Sequence, residues 1–340
     1  MALSINMGLL LIFVINVDSS TDLLPVVINT WAFTNATQSA WQVLQSGGSV
    51  LDAVVAGCGQ CEVDQCDGTV GYGGSPDESG ETTLDAMIMD GQTLSVGAVS
   101  ALKRVKNAIG VARAVMDYTT HTLLAGESAT QFAIGMGFKE EDLHTNRSIN
   151  IWKQWKNNHC QPNYRKNVSP NPRKSCGPYK RNKVIQNDRI PSSRDIGRFN
   201  HDTIGMVVVD KNRKVVSGTS TNGMNHKVPG RVGDSPIAGA GSYADSDVGG
   251  AAATGDGDVM MRLLPSYQAV EFMRNGDSPS LAAAKSIQRI IHHYPNFSGA
   301  LIAVSKDGQV GAACNGIPAF PYSVINPKLQ KVTVVSVKCI

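Results

Sequence analysis

Apolar residues along this chain follow two kinds of spacing, and the two alternate in the same order twice. Pro25 to Thr30 (PVVINT) is a short continuous apolar run and reads as a buried strand. Thr37 to Gln45 has helical spacing, with Asn35 or Thr37 as its cap and Gly47-Gly48 as its stop. Ser49 then caps a second helix through Val50, Leu51, Val54 and Val55. Thr82 to Asp90 and Leu94 to Val99 read as paired strands turning at Asp90-Gly91. Leu102, Val105, Ile109, Ala112 and Met116 recur at helical spacing, which predicts an amphipathic helix from Leu102 to Tyr118. A further short helix follows from Ser128.

The second half repeats that order. Thr203 to Asp210 (TIGMVVVD) is a strand, Lys211-Asn212 turns, and Val215 to Thr219 returns. Val259 to Arg274 is helical and bent at Pro265. Ser278-Pro279 opens a helix to His293 with cap and first-turn proline in place. Gly299 to Ser305 and Gln309 to Cys314 form a hairpin around Asp307-Gly308. Runs of strands followed by runs of helices predict an α+β fold with antiparallel sheets rather than βαβ crossovers. Two packed sheets with helices outside would bury both apolar halves, and one four-layer domain can absorb 340 residues.

Charge changes this picture in one place. The net charge of +3 conceals a segment, 151–200, with twelve Lys or Arg against Asp188 and Asp195. A basic run can address a polyanion. Here it lacks periodicity and interleaved aromatics and is rich in Asn, Pro and Ser, so it reads as a solvated loop joining the halves. Glycine is concentrated between Gly218 and Gly257, where backbone must approach something closely or turn tightly.

Gly8 to Val17 is a ten-residue apolar core too short to span a bilayer, and polar residues follow it, so 1–20 reads as a signal peptide without a basic n-region. No later run is long enough for a transmembrane helix. Asn35, Asn146 and Asn296 head glycosylation sequons, while Asn167 is weakened by Pro170. Seven cysteines on a secretory route predict disulfides with at least one thiol left over. Cys58-Gly-Gln-Cys61 has no second pair at zinc spacing and reads as a structural disulfide or free thiol.

The sequence has no phosphate-binding GxxxxGK[ST], no HExxH and no GxSxG, so nothing argues for a nucleotide or a catalytic metal. What remains is a concentration of hydroxyls, glycines and charged pairs in four stretches: 200–206, 218–223, 230–235 and 253–257. A threonine is a weak nucleophile without a base beside it. If it becomes the first residue of a chain, its own α-amine titrates near neutrality and can serve. The plainer reading of His201-Asp202-Thr203 is a loop and cap before a strand.

HDTIGMVV at 201–208, with GTSTNG, GRVGDSP and AATGDGD downstream, closely resembles the glycosylasparaginases among the N-terminal nucleophile hydrolases. NTWAF at 29–33, CDGTVGYGGSPDE at 66–78, TTLDAMIMDG, KNAIGVAR, HTLLAGESAT and LPSYQAVE extend the match over nearly all of the mature chain. Plant-type asparaginases share that fold but typically carry another tripeptide before the threonine.

The resemblance implies a four-layer αββα sandwich and self-cleavage between Asp202 and Thr203. It gives an α chain of about 21–202 ending in the basic loop and a β chain of 203–340 in one catalytic domain. Thr203 would be nucleophile and base, with Thr221 in support. Thr254 and Gly255 would form the oxyanion hole. Arg231 would clamp the substrate α-carboxylate and Asp234 the α-ammonium, with Gly257 adding a backbone contact and Trp31 lining the pocket. The reaction implied is hydrolysis of N4-(β-N-acetylglucosaminyl)-L-asparagine in the lysosome, by a dimer of cleaved heterodimers. No metal, other cofactor, nucleic acid or membrane is involved. Family disulfides map onto Cys61–Cys66, Cys160–Cys176 and Cys314–Cys339, leaving Cys58 free; a further vertebrate bridge has no partners here. An asparaginase or isoaspartyl peptidase of the same superfamily is the nearest alternative. A non-catalytic secreted protein that binds anionic glycans through the basic loop is the other.

Overall fold

The computed structural model describes residues 23–183 and 203–340. Residues 1–22, which contain the expected signal peptide, residues 184–200 of the basic stretch, and His201 and Asp202 lie outside the described residues. The first half runs β1 (Val26–Thr30), α1 (Thr34–Gln45), α2 (Val50–Asp64), β2 (Leu84–Asp90), β3 (Val96–Leu102), α3 (Ala108–Tyr118), β4 (Leu123–Ala125), α4 (Gly126–Gly135) and α5 (Asn146–Asn157). A small hairpin, β5 (Val168–Ser169) and β6 (Lys180–Arg181), follows. The second half contains β7 (Ile204–Val209), β8 (Val215–Thr221), β9 (Ser242–Asp245), β10 (Gly249–Gly255), α6 (Gly257–Leu263), α7 (Pro265–Arg274) and α8 (Pro279–His293). It closes with β11 (Gly299–Ser305), β12 (Val310–Asn315), β13 (Ala319–Ile325) and β14 (Thr333–Lys338).

An eight-stranded sheet has the order β14-β13-β1-β7-β8-β2-β3-β4, and a four-stranded sheet has the order β12-β11-β10-β9. Helices α1, α2 and α3 pack on the large sheet and α7 and α8 on the small one, while β10 packs on β7 and β8. Glycine and alanine set that approach. A methyl group built on Gly205 would lie 2.7 Å from the Ala252 Cβ, and one on Gly250 would lie 2.7 Å from a Val207 methyl. The same residues explain why β10 (GGAAATG) was not legible as a strand, since small residues have low strand propensity and their fitness here is close packing.

The α+β class is as expected, and so are the Ser49 cap, which closes as a capping box with Asp52, the Ser278 cap with Pro279, and the hairpin around Asp307-Gly308. Five expectations need correction. The edge pair β3–β4 is parallel and connected through α3, so the large sheet includes one βαβ crossover. The predicted 102–118 helix begins only at Ala108, because Leu102 ends β3 and the Asn107 side chain caps the Gly110 amide. Helix α1 starts at Thr34 without a side-chain cap; Thr37 instead donates to Asn29 Oδ1 at 2.5 Å. The basic stretch opens in helix rather than loop: Thr145 and Ser148 form a capping box and α5 buries Trp155. At Pro265 the anticipated bend is a full break, with Leu264 left-handed at φ 50°.

All three expected disulfides are formed, and Cys58 is free and buried. Asn35, Asn146 and Asn296 are all exposed. Among the described residues no helix is long and apolar enough to cross a membrane.

Candidate active site

Strand register fixes which side chains meet. In β7, Gly205 faces the small sheet and Met206 faces α2, so Thr203 also points between the sheets. Continuing the β7–β8 register one residue beyond Ile204↔Ser220 places Thr221 opposite Thr203. Strand β1 lies on the other side of β7 and ends at Thr30, next to Trp31. Strand β10 brings Thr254 and Gly255 from the second sheet.

Thr203 is fully buried. Its N–H donates to Thr254 Oγ1 at 3.1 Å, and its carbonyl accepts from Thr30 Oγ1 at 2.7 Å. The Trp31 indole N–H also donates to Thr254 Oγ1, at 3.0 Å. Two N–H donors thus fill the acceptor positions of the Thr254 hydroxyl, which leaves its own hydrogen to be donated elsewhere. Trp31 holds this position at φ 63°, a left-handed backbone that a bulky residue rarely adopts, packed edge-on against Phe320. Gly255, at φ 127°, requires glycine: a methyl there would lie 2.4 Å from the Gly299 Cα.

Next to this hydroxyl cluster is a charged one. Arg231 is largely but not fully buried and donates through Nε and Nη2 to Asp258 Oδ2 at 3.2 and 2.9 Å. Asp258 is 41% exposed, so that pair contributes at most about 1 kcal/mol and can yield to a better-placed carboxylate. Burial opposes the Arg231 charge, but the carboxylates of Asp258, Asp85 and Asp234 overcome this and raise its pKa. Asp234 is buried, and desolvation pushes it up to about 7 against the pull of Arg231. Its Oδ2 has no hydrogen-bond partner among the described residues. A methyl built on Gly257 would lie 2.5 Å from Asp234 Oδ1 and 3.2 Å from Arg231 Nη2, so the glycine leaves open the corner where the two charges face each other.

The structure therefore brings together Thr203, Trp31, Thr254 and Gly255, and beside them Arg231, Asp234 and Gly257. Thr221 lies across from Thr203, but its hydroxyl is engaged with the Thr69 carbonyl at 3.4 Å and the Gly223 amide at 3.0 Å. Several residues were missed by the sequence reading. Thr30 bridges the Thr203 carbonyl and the Gly205 amide. Ser235 places its Oγ 3.5 Å from Thr203 Oγ1, while its carbonyl accepts from Thr219. Both lie within matched motifs, NTWAF and GRVGDSP, beside Trp31 and Asp234, and that placement was their sequence signal. Among the described residues no group of His, Cys, Asp or Glu is arranged to hold a metal ion.

A buried hydroxyl nucleophile candidate with a second hydroxyl and a glycine amide at hand, flanked by opposed charges, defines a hydrolase. The chain belongs to the asparaginase family, whose sequence profile matches residues 9–334. It is 56% identical to the mouse N(4)-(β-N-acetylglucosaminyl)-L-asparaginase over 320 residues, 93% of this chain and 92% of the relative. It is 58% identical to the rat protein of that name over 298 residues, covering 87% and 86%. A putative N(4)-(β-N-acetylglucosaminyl)-L-asparaginase of Drosophila melanogaster is 55% identical over 314 residues, covering 90% and 80%.

Proposed function

We propose that this enzyme hydrolyses the GlcNAc–asparagine amide of free glycoasparagines to L-aspartate and the sugar amine, with Thr203 freed by self-cleavage after Asp202. The observation that carries this is the convergence of Thr203, Thr254 and Trp31 on one buried hydroxyl beside the Arg231–Asp234 corner. The Thr203 hydroxyl attacks the side-chain carbonyl carbon and passes its proton to the α-amine of the same residue. The Thr254 hydroxyl and the Gly255 amide stabilise the oxyanion. Collapse breaks the C–N bond, and the α-ammonium protonates the leaving glycosylamine. Water, deprotonated by the same amine, then opens the aspartyl ester.

Arg231 takes the α-carboxylate in a bidentate contact and Asp234 the α-ammonium. An asparagine within a peptide has neither charge and is refused. Thr221 supports the nucleophile through the β7–β8 register rather than by a bond to it. The reading carries with it a four-layer αββα sandwich, supported by the stacking of the sheets and the helices outside each. It also includes the 1–20 signal, chains of 21–202 and 203–340, glycans on Asn35, Asn146 and Asn296, lysosomal residence and a dimer of cleaved heterodimers. A plain asparaginase or isoaspartyl peptidase and a glycan-binding relative are the competing readings. Parallel rates on glycoasparagine, asparagine and a β-aspartyl dipeptide decide: preference for either of the last two overturns the assignment, and no hydrolysis of any favours the binding relative.

A further inference from the structure

Lys227 is almost wholly buried, which is rare for a lysine without an ionic partner. Its ammonium donates to two neutral acceptors, the carbonyls of Ser75 at 2.9 Å and Asn222 at 2.8 Å. Among the described residues no carboxylate is within ion-pairing distance of it. A methyl built on Gly223 would lie 3.6 Å from Lys227 Nζ and 3.4 Å from Arg231 Nη1, so a buried cation and a largely buried one border the same glycine. Such a pair is mutually unfavourable unless negative charge lies close.

Asp85 supplies it. Its carboxylate is buried at the start of β2 and accepts the Ala101 amide at 2.7 Å; burial raises its pKa, and the charges of Lys227 and Arg231 pull it back down. Burial lowers Lys227 to about 8, the neighbouring Arg231 adds to this, and Asp85 and Asp77 oppose it, so the ammonium stays largely charged at neutral pH.

We infer that Lys227 is a positioning residue of the carboxylate pocket, a second buried cation balanced by Asp85 that reinforces Arg231 without touching the substrate. A purely structural role would be served as well by an apolar side chain at 227 and an uncharged one at 85, without the cost of burying ions. What the charged pair adds is field at the position where an incoming carboxylate sits. This rests on the reading that Arg231 receives the substrate α-carboxylate.

The test is steady-state kinetics of the mature enzyme on glycoasparagine, with Lys227→Met, Asp85→Asn and the double variant. Lys227→Met is expected to raise KM about tenfold, with kcat within about twofold. The double variant removes one charge of each sign and is expected to return KM to within about threefold of wild type. A fall in kcat at unchanged KM, or a double variant no better than Lys227→Met, overturns the inference. If Lys227→Met does not mature, the charge-balanced double variant decides: KM near wild type supports the pair, and KM raised tenfold or lost turnover overturns it. A wild-type enzyme inactive on glycoasparagine would sink the activity proposed above instead. The affinity of the same variants for L-aspartate, measured by calorimetry, then tests the pocket alone by the same criteria.

Discussion

Two carboxyl groups on opposite sides of β8, Asp234 and Glu62, share every feature that usually marks a functional acid. Both are buried, both are pushed up to about 7 chiefly by desolvation, and each has one oxygen without a hydrogen-bond partner among the described residues. Their neighbours differ. Asp234 faces the Arg231 guanidinium across the corner left open by Gly257. Glu62 sits on α2 behind the sheet, where its Oε1 accepts from Ser220 Oγ at 2.6 Å and the Ile109 amide at 2.9 Å. Glu62 thus satisfies the first turn of α3, whose amides lack helical acceptors. A shifted pKa reports burial first. Function is read from what an incoming group could reach.

The largest effect belongs on the Asp234 side of the sheet. Thr203→Ala removes the hydroxyl that both chain cleavage and turnover would require. The intact mass should show one uncut chain, and turnover should fall by at least about 1,000-fold. A variant still cut before residue 203 and still active would remove the nucleophile from the mechanism. Asp234→Asn should raise KM about 100-fold, the cost of losing a buried charged partner, with a smaller change in kcat. Unchanged KM would place Asp234 with Glu62 as a structural acid.

Trp31→Phe sharpens the same side. The ring would keep its contact with Phe320 while Thr254 would lose one of its two N–H donors. A freer Thr254 hydroxyl is less well aimed, and kcat should fall about tenfold, the value of one net hydrogen bond. A loss confined to KM would make Trp31 a pocket wall only.

How much of this was legible follows from the physics of each part. The Ser278-Pro279 cap and the Asp307-Gly308 turn are local devices, and local devices can be read from sequence. Strand β14 alternates half-buried and exposed positions but buries no residue fully, and β10 hides behind small residues, so neither stood out. Composition marked where Thr203, Arg231 and Asp234 lie, and the roles proposed for them come from the family resemblance. The partnership of Thr30 with the Thr203 carbonyl spans 173 residues and depends on β1 pairing with β7. Ser235, Asp85 and Lys227 are of the same kind: their meaning is set by which strands and loops become neighbours.

The smallest effect tests the far side of β8. Glu62 is raised from 4.5 to about 7, so the folded protein holds this proton more tightly than the unfolded chain does. The stabilisation this gives is complete below pH 4.5 and is lost as pH rises through 7, about 3 kcal/mol in all as an upper bound. Glu62→Gln stays neutral throughout, and its amide oxygen can still accept from Ser220 and the Ile109 amide. Its melting temperature should therefore exceed wild type at pH 8, with the gap closing towards pH 4.5. Asp234 shifts in the same direction in both proteins and cancels from the difference. Turnover should change by less than about twofold, because the carboxyl faces α3 and not the Thr203 side of the sheet. A gap in melting temperature independent of pH would mean that Glu62 is already ionised in the fold. A large loss of turnover would mean that strand β8 transmits its state to the nucleophile, and the two sides of the sheet would have to be treated as one site.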